Sequence, residues 1–367
     1  MRSFFRKPYV YTAIFSTVLA LFFLYTILLV FVIPRTAGNG GVGSTPDTFT
    51  GTVDKNWGNN TPDPSDTVDS NTSAGNPDTE TLAGNTDSTD SKPTEVTTTG
   101  ELFETEPGVE YPVITDDLYM DENIRIEITQ LRRYDSDLYV ADILIKDPAY
   151  LKTALAQDKF GMNIKEKTSD IAKRVGAILA VNGDFYGANE SGYVIRNGVL
   201  YRDTIRPSND SDSDLSYFDD LAIMWDGSFV TFDEKDYTAR EVLNKGAKHV
   251  LTFGPTLVKN GKIAVDEDAE VGLAWSGQDN PRCAIGYVSE GHYLIIVVDG
   301  RCDASRGTSL WELADVFCEL GAQTAYNLDG GGSATMIFNG KLINTPYTNW
   351  NKPSGERRVS DIVYIGY

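Results

Sequence analysis

The chain has 367 residues, and its 53 acidic against 32 basic side chains give a formal net charge of −21 at pH 7. This acidic balance argues against nucleic acid as a partner, because binding to a phosphate backbone needs basic patches. With only two histidines in the chain, we expect no His-rich metal site, and a Ser–His–Asp or Cys–His hydrolase is disfavoured.

The first part of the chain predicts a membrane anchor, residues 1–35. Residues 8–34 contain no charged side chain, and residues 13–33 are almost wholly apolar, which reaches the roughly 20 residues needed to cross a bilayer. Basic residues precede this run: Arg2, Arg6 and Lys7. The positive-inside tendency then predicts a single-pass protein of the cell membrane whose C-terminal part is extracytoplasmic. A cleaved signal peptide is the competing interpretation, although the apolar run exceeds the usual h-region of roughly 7–15 residues.

Residues 36–107 predict a disordered, acidic stalk. The composition is dominated by Thr, Asp, Asn, Gly, Ser and Pro, and the segment has 13 acidic residues but only two basic ones, Lys55 and Lys92. So little apolar surface cannot offset the entropy of ordering. A flexible coil of this length has an r.m.s. span of roughly 45–50 Å, so the stalk is expected to hold the following domain well clear of the membrane.

Residues 108–367 predict one α+β domain with a mixed sheet and substantial antiparallel pairing. A helix is expected to end at Gly176 and to be followed by a buried strand over 177–181. Asn-Gly turns predict β-hairpins over 194–201 and 257–265. A buried strand over 293–298, a helix beginning at the capping box Ser309–Glu312 and a strand over 324–328 form a strand–helix–strand unit near the C-terminus.

Three predicted strands end in a carboxylate beside glycine, at Asp184, Asp299 and Asp329. A single ending of this kind is typical of an ordinary turn. Three in one domain favour a shared ligand-binding edge, and parallel neighbouring strands would bring Asp299 and Asp329 to the same edge. Because histidine is scarce, acid and base chemistry would fall to these carboxylates, and paired carboxylates are the usual equipment for cleaving glycosidic bonds.

The stretch after Asp329 predicts an anion-binding loop, because adjacent glycines leave backbone N–H groups open to a ligand. Arginines near strand ends and glycines could grip a phosphate bidentately. The predicted substrate-binding residues are Asn182, Arg282, Arg301, Asn327, Gly330, Gly331, Gly332, Ser333, Thr335 and Arg357. The cysteines are expected to be core thiols, and Cys283 with Cys302 is the only pair considered for a disulfide.

Short motifs follow one another in order from about residue 171 to the C-terminus: Asn182-Gly-Asp-Phe-Tyr-Gly187, Arg196-Asn-Gly198, Gly254-Pro-Thr-Leu257, Pro281-Arg-Cys-Ala-Ile-Gly286, Val298-Asp-Gly-Arg301, Leu310-Trp-Glu-Leu-Ala314, Asn327-Leu-Asp-Gly-Gly-Gly-Ser333 and Glu356-Arg-Arg-Val359. In this order the chain resembles the phosphodiester glycosidase family. The resemblance implies a hydrolase acting on sugar 1-phosphodiesters, such as those of N-acetylglucosamine, in envelope or exopolysaccharide polymers. It implies neither a metal nor another cofactor. Cys283 and Ala334 depart from the expected family pattern.

The resemblance implies that Asp329 lies beside the anomeric carbon, with Asp184 or Asp299 activating water or orienting sugar hydroxyls. It also implies that Arg282 and the amides of residues 330–333 hold the phosphate. The main alternative is a membrane-anchored, non-catalytic module that binds polysaccharide or a teichoic-type polymer. A third possibility is a protein that assembles polymers, although no nucleotide-sugar motif is visible.

Overall fold

The computed structural model describes residues 35–36, 48–49, 51–57, 110–206, 219–267 and 279–367. The apolar run predicted to cross the membrane lies outside these ranges. Within them, no helix combines the length and the apolar character needed to traverse a bilayer.

The described ranges are dominated by strands. Their bounds in chain order are β1 (Arg35–Thr36), β2 (Val113–Ile114), β3 (Leu118–Met120), β4 (Ile124–Arg133), β5 (Ser136–Ile145), β6 (Leu151–Leu155), β7 (Gly161–Met162), β8 (Glu166–Lys167), β9 (Leu179–Asn182), β10 (Val194–Arg196), β11 (Val199–Arg202), β12 (Asp219–Met224), β13 (Phe229–Asp233), β14 (Ala247–Leu251), β15 (Thr256–Lys259), β16 (Lys262–Ile263), β17 (Arg282–Ser289), β18 (His292–Val298), β19 (Thr324–Leu328), β20 (Met336–Phe338), β21 (Lys341–Leu342), β22 (Tyr347–Asn349), β23 (Lys352–Pro353), β24 (Arg358–Val359) and β25 (Asp361–Ile365). The α-helices of these ranges are α1 (Thr168–Val175), α2 (Ala239–Asn244) and α3 (Leu310–Glu319).

Three large sheets and three two-stranded pairs, β1–β7, β22–β23 and β8–β24, form in the described ranges. Sheet I has nine strands in the order β16-β15-β19-β17-β18-β5-β4-β3-β2, sheet II has five in the order β21-β20-β9-β25-β6, and sheet III has five in the order β11-β10-β14-β12-β13. Neighbouring strands pair antiparallel, as in β17–β18 and β9–β25. The prediction of extensive antiparallel sheet is thus confirmed. Helices make up a smaller part of the described residues than the predicted α+β class suggests.

Sheets I and II pack face to face across the main core. Ile285 and Ile295 of sheet I share this core with Val181 and Val363 of sheet II. Helix α3 covers the other face of sheet I, where Phe317 packs with its neighbours. Because both faces of sheet I are buried, its central strands need continuous apolar sequence. The strand ends carry the polar residues to the rim between sheets I and II.

The predicted local elements around this rim are confirmed. The Ser309 hydroxyl accepts a hydrogen bond from the Glu312 amide at 3.0 Å, and the Glu312 carboxylate accepts one from the Ser309 amide at 3.0 Å. This capping box begins α3. The hairpins β10–β11 and β15–β16 turn at Asn-Gly pairs with positive φ at both residues, as type I′ turns require.

The strand–helix–strand unit is present, but its strands are not neighbours. Strands β18 and β19 both pair antiparallel with β17, which lies between them. They therefore run parallel to each other with one strand in between. Asp299 and Asp329 leave the same edge of sheet I, but not side by side as the sequence predicted.

Part of the predicted stalk packs against sheet III. Thr48 forms a β-bridge with Val199, and the Asp54 amide donates to the Lys245 carbonyl at 2.8 Å. Trp57 is buried, with its ring centroid 5.5 Å from that of Phe232. For these residues the structure differs from the predicted disorder, because a single Trp supplies the apolar surface that the average composition lacks.

Candidate active site

The site is built where strand ends of sheets I and II meet. The Asp329 amide donates to the Gly183 carbonyl at 3.1 Å. Asn182, fully buried at the end of β9, donates from Nδ2 to the Asp329 carbonyl at 2.5 Å, and its Oδ1 accepts from the Thr335 amide at 3.2 Å. Asn182 was predicted to bind substrate. Its side chain instead links the two sheets, because its amide group hydrogen-bonds to the backbone after β19 of sheet I and to the backbone before β20 of sheet II.

Asp184, Arg196 and Asp361 form a buried charge cluster beneath this junction, called here the acid–Arg–acid cluster. Arg196 Nη2 lies 2.9 Å from Asp184 Oδ2 and 2.7 Å from Asp361 Oδ2. The side chains of all three are at most 2% exposed. Asp184 also accepts from the amides of Thr252 at 2.9 Å and Tyr186 at 3.1 Å, so both of its oxygens are occupied.

The two carboxylates of this cluster share one counter-charge. Burial, and then the charge of Asp184, raises the pKa of Asp361 to about 7, although Arg196 acts in the opposite direction. Burial opposes the charge of Arg196, but the two carboxylates outweigh it and raise the Arg196 pKa. Gly183 lies so close to Asp361 that a Cβ would overlap the carboxylate. The cluster therefore fixes the backbone around the Asn182-Gly-Asp turn.

Asp329 has a different environment. It is partly exposed, and its Oδ2 is a buried atom with no hydrogen-bond partner within the described part of the chain. Burial raises the pKa of Asp329 to about 6, against the lowering effects of the Ser333 hydroxyl, Arg357 and the Gly330 amide. The charge of Asp184 also raises this pKa, so the structure brings these two predicted acids together. Of the two, Asp329 has the free oxygen.

Asp299 lies apart from this pair. Its Oδ1 accepts from Asn344 Nδ2 at 2.9 Å and from the Thr345 amide at 3.1 Å. Burial raises the pKa of Asp299 to about 6, and Asn344 and Thr345 lower it. Asn344 also donates to the Ala334 carbonyl at 3.0 Å, so Asp299 reaches the glycine loop only through an intermediate side chain.

The glycine loop offers fewer amides than the sequence predicted. The Gly331 amide donates to the Pro281 carbonyl at 2.8 Å and the Ser333 amide to the Gly330 carbonyl at 3.1 Å. The Gly330 amide faces the Asp329 carboxylate, where it lowers the pKa. These glycines chiefly allow close packing: a Cβ on Gly330 would lie 2.7 Å from the Pro281 carbonyl oxygen. Gly332 is also buried, and a Cβ there would lie 2.5 Å from Thr348 Oγ1.

The predicted arginines are held to different degrees. Arg282 is buried and donates from Nε to the Thr308 carbonyl at 2.9 Å. Arg301 donates to Asn280 Oδ1 at 3.0 Å and to the Thr348 carbonyl at 2.8 Å. Its guanidinium is placed directly against the loop, since a Cβ on Gly331 would lie 3.0 Å from its Nη2. Arg357 is exposed and acts on Asp329 through its charge.

Some buried polar atoms on the segments joined at this junction lack partners inside the described part of the chain. Besides Asp329 Oδ2 they are Asn327 Oδ1, Thr335 Oγ1 and Thr252 Oγ1; the amides of Thr335 and Thr252 bond to Asn182 and Asp184. Buried polar groups are normally hydrogen-bonded, so such exceptions are candidates for contact with water or a polar ligand. Asn327 and Thr335 were predicted to bind substrate, and their free oxygens suit a hydroxyl-rich one.

Sequence reasoning missed Arg196, Asp361 and Lys165 as site residues. Arg196 ends the short strand β10 and Asp361 begins β25, so neither shows the signal that identified Asp184, a carboxylate beside glycine after a strand. Lys165 lies 5.9 Å from the Phe185 ring centroid. Burial and the nearby charge of Arg357 lower the Lys165 pKa, and Asp329 raises it. No sequence motif marked this lysine, because it precedes the ordered run of motifs.

Neither histidine joins the site. His249 is fully buried, and its Nδ1 lies 2.9 Å from Thr153 Oγ1. His292 is 2.7 Å from Asp142 on the neighbouring strand. Cys283 and Cys302 are separate buried thiols, so the disulfide considered for this pair is not formed.

The sequence profile of the phosphodiester glycosidase family matches residues 175–366. The SPbeta prophage-derived uncharacterized protein YomE of Bacillus subtilis (strain 168) is 32% identical over 213 residues, which are 57% of this chain and 31% of that protein. The mouse N-acetylglucosamine-1-phosphodiester alpha-N-acetylglucosaminidase is 28% identical over 214 residues, or 53% of this chain and 39% of that protein. The chain thus spans less than half the length of these relatives.

Among solved structures, the catalytic domain of the zebrafish N-acetylglucosamine-1-phosphodiester alpha-N-acetylglucosaminidase, auto-inhibited by its pro-peptide, aligns with a TM-score of 0.50 at 21% identity. The alignment covers 66% of this chain and 83% of that one, and it supports the fold. The profile match extends over more than half of the chain and includes Asp184, Arg196, Asp329 and Asp361. The chain belongs to the phosphodiester glycosidase family.

Proposed function

We propose that this chain hydrolyses the bond between the anomeric carbon of a sugar, of the N-acetylglucosamine type, and a phosphodiester in envelope or exopolysaccharide polymers. Family membership supports the reaction type. The mouse relative is named for action on an N-acetylglucosamine 1-phosphodiester, which supports the sugar. The observation that carries the proposal is the buried Oδ2 of Asp329, which has no hydrogen-bond partner among the residues that the structure describes.

In this reaction the leaving phosphate is already a stable anion, so the oxocarbenium-like transition state is the main barrier. Asp329 is the carboxylate that stabilises this positive charge or attacks the anomeric carbon. Its Oδ2 has no bond to lose when the charge develops. Asp184 lacks this freedom because Arg196 and two amides occupy both of its oxygens. It is proposed to position the turn rather than to activate water.

The phosphate group would lie on the side of the glycine loop that faces Arg301 and Arg357. Arg301 is held against Gly331 by Asn280 and Thr348, which keeps its planar fork oriented. Arg357 and Lys165 add mobile positive charge near Asp329. The Gly332 amide supplies a neutral donor. Asp299, supported by Asn344, orients the far end of the loop.

The proposed setting is extracytoplasmic, with the N-terminal segment as an uncleaved single-pass anchor. The apolar run of residues 13–33 and the basic residues before it support this orientation. A substrate in the cell envelope would then meet the domain without crossing the membrane.

Asp329→Asn tests the proposal directly. We expect it to abolish release of free sugar from an aryl phosphodiester of N-acetylglucosamine 1-phosphate while the thermal unfolding midpoint stays within a few degrees of that of the natural chain. Asp303→Asn is the matched control, because Asp303 is exposed in the loop that follows β18. Natural-like turnover by Asp329→Asn would remove Asp329 from the mechanism. Tight binding of the sugar phosphodiester by the natural chain without any release would instead favour the non-catalytic polymer-binding module.

A further inference from the structure

The N-terminal segment meets the domain beside the candidate active site. Strand β1 pairs antiparallel with β7, with Arg35 opposite Met162 and Thr36 opposite Gly161. The chain then continues from β7 to Lys165 at the edge of the site. The Asn163 amide donates to the Gly187 carbonyl at 2.8 Å, which ties this connection to the segment that follows Asp184. The residues next to the predicted anchor are thus paired with the strand that precedes Lys165.

This pairing limits the distance between the membrane and the site. The apolar run ends at Ile33, two residues before β1. Extended chain covers about 3.3 Å per residue and paired strands lie about 4.8 Å apart. Lys165 therefore lies within about 25 Å, measured along the chain, of the end of the apolar run. A stalk of residues 36–107 cannot lift the site away, since the domain is already held at residue 35.

The rim of the site has the charge expected of a surface that approaches anionic headgroups. Lys165 and Arg357 directly precede the paired strands β8 and β24, in which Arg358 lies opposite Lys167, and Arg301 lies against Gly331 of the glycine loop. The charge of Arg357 lowers the pKa of both Lys165 and Arg301. One phosphodiester has a single negative charge, so three cations exceed what it needs. The domain as a whole is acidic, which makes this basic rim a local exception. Basic residues next to a membrane are attracted to anionic lipids.

Exposed aromatic side chains flank the same rim. Tyr201 is 40% exposed and packs at a tilted angle against Phe160, the residue before β7, with 5.1 Å between ring centroids. Trp350 is 56% exposed, and the amide of the next residue, Asn351, donates to the Arg301 carbonyl at 2.8 Å. Tyr and Trp are the residues that favour the membrane–water interface.

From these three observations we infer that the active site faces the membrane and that its substrate is a sugar phosphodiester whose aglycone is a membrane-embedded lipid alcohol. The inference rests on the proposed function. Water attacks the anomeric carbon, the bond from that carbon to oxygen breaks with its electron pair on the phosphate, and a lipid phosphate monoester leaves. One water proton stays on the new sugar hydroxyl, and the other passes to solvent.

Two insertions in the full-length chain, reconstituted in vesicles of phosphatidylglycerol and phosphatidylethanolamine, test the inference. A 20-residue Gly/Ser segment between Pro34 and Arg35 adds an r.m.s. span of roughly 25 Å and frees the domain from the membrane. The same segment between Gly84 and Asn85 is the control, because it leaves the connection from the anchor to β1 unchanged. Each chain is assayed with the polyisoprenyl phosphodiester of N-acetylglucosamine in the vesicle and with the ethyl phosphodiester in solution.

We expect the insertion after Pro34 to lower turnover of the vesicle substrate at least tenfold and to leave turnover of the ethyl phosphodiester unchanged. The insertion after Gly84 should change neither. If residues 36–107 are an extended stalk, both insertions lengthen the same tether, and an equal effect on the vesicle substrate would overturn the inference alone. If the natural chain releases sugar from neither substrate, the proposed function fails and the inference fails with it.

Discussion

Replacing Arg196 by Met should destabilise the domain strongly. The change removes the ion pairs at 2.9 and 2.7 Å to Asp184 and Asp361 and leaves both carboxylates buried. Removing one partner of a buried charge pair costs about 3–5 kcal/mol. We expect a loss of this size in the free energy of unfolding at pH 7.5, because Met fills much of the volume but supplies no counter-charge.

The loss should depend on pH in a defined direction. Asp361 has a folded pKa of about 7, above its reference value of 3.8, and this pKa rises further without the lowering effect of Arg196. A raised pKa in the folded state gives stability that is present at low pH and lost as pH rises through the folded pKa. The destabilisation should therefore shrink by about 1–3 kcal/mol between pH 7.5 and pH 5.5, since protonation relieves the unpaired charge.

Urea unfolding followed by Trp fluorescence at the two pH values measures both effects. Arg133→Met is the control, because Arg133 is 54% exposed and lies 3.8 Å from Glu319, and exposed pairs contribute at most about 1 kcal/mol. A loss below about 1 kcal/mol for Arg196→Met, or a loss equal at both pH values, would refute the view that Arg196 neutralises two buried charges.

Three further predictions concern activity and packing. The value of kcat/KM should fall about tenfold per pH unit below the Asp329 pKa of about 6, since a protonated carboxyl cannot stabilise positive charge; a flat profile to pH 4.5 would contradict this. Gly331→Ala should lower kcat/KM at least tenfold, because φ of residue 331 is +57° and the new Cβ would contact Arg301. Gly340→Ala is the control and should leave kcat/KM unchanged, since φ is also positive there, at +75°, but a Cβ would have no atom within 4 Å. Trp57→Ala should lower the free energy of unfolding in urea by about 3 kcal/mol, because Trp57 packs on Phe232. Phe103→Ala, outside the described residues, serves as the comparison. An equally small effect of both substitutions would show that residue 57 adds little to the stability of the fold.

Local elements could be predicted because their causes lie within a few residues. Ser309 and Glu312 cap one helix across three residues, and the Asn-Gly pairs set two hairpins through their own φ values. The strand over residues 324–328 was predicted with the bounds that the structure shows. Such features depend on residues that are only a few positions apart in the sequence.

The pairings between distant segments could not be predicted in the same way. Arg196 and Asp361 are 165 residues apart in sequence, and no motif states that they meet. The insertion of β17 between β18 and β19 also depends on the whole sheet. As a result the sequence identified the right strand ends but overestimated the free amides of the glycine loop, whose partners, such as Pro281, come from another strand.

The hydrogen bonds that each carboxylate already makes determine which of the three can stabilise a positive transition state. Catalysis requires an interaction that is stronger in the transition state than in the free protein. Asp184 already holds Arg196 and two backbone amides, so a developing cation would compete with bonds that exist before substrate binds. Asp299 is likewise occupied by Asn344 and Thr345. Asp329 keeps a buried oxygen without a partner among the described ranges, and an oxocarbenium-like centre beside it would gain an interaction that is not made within those ranges.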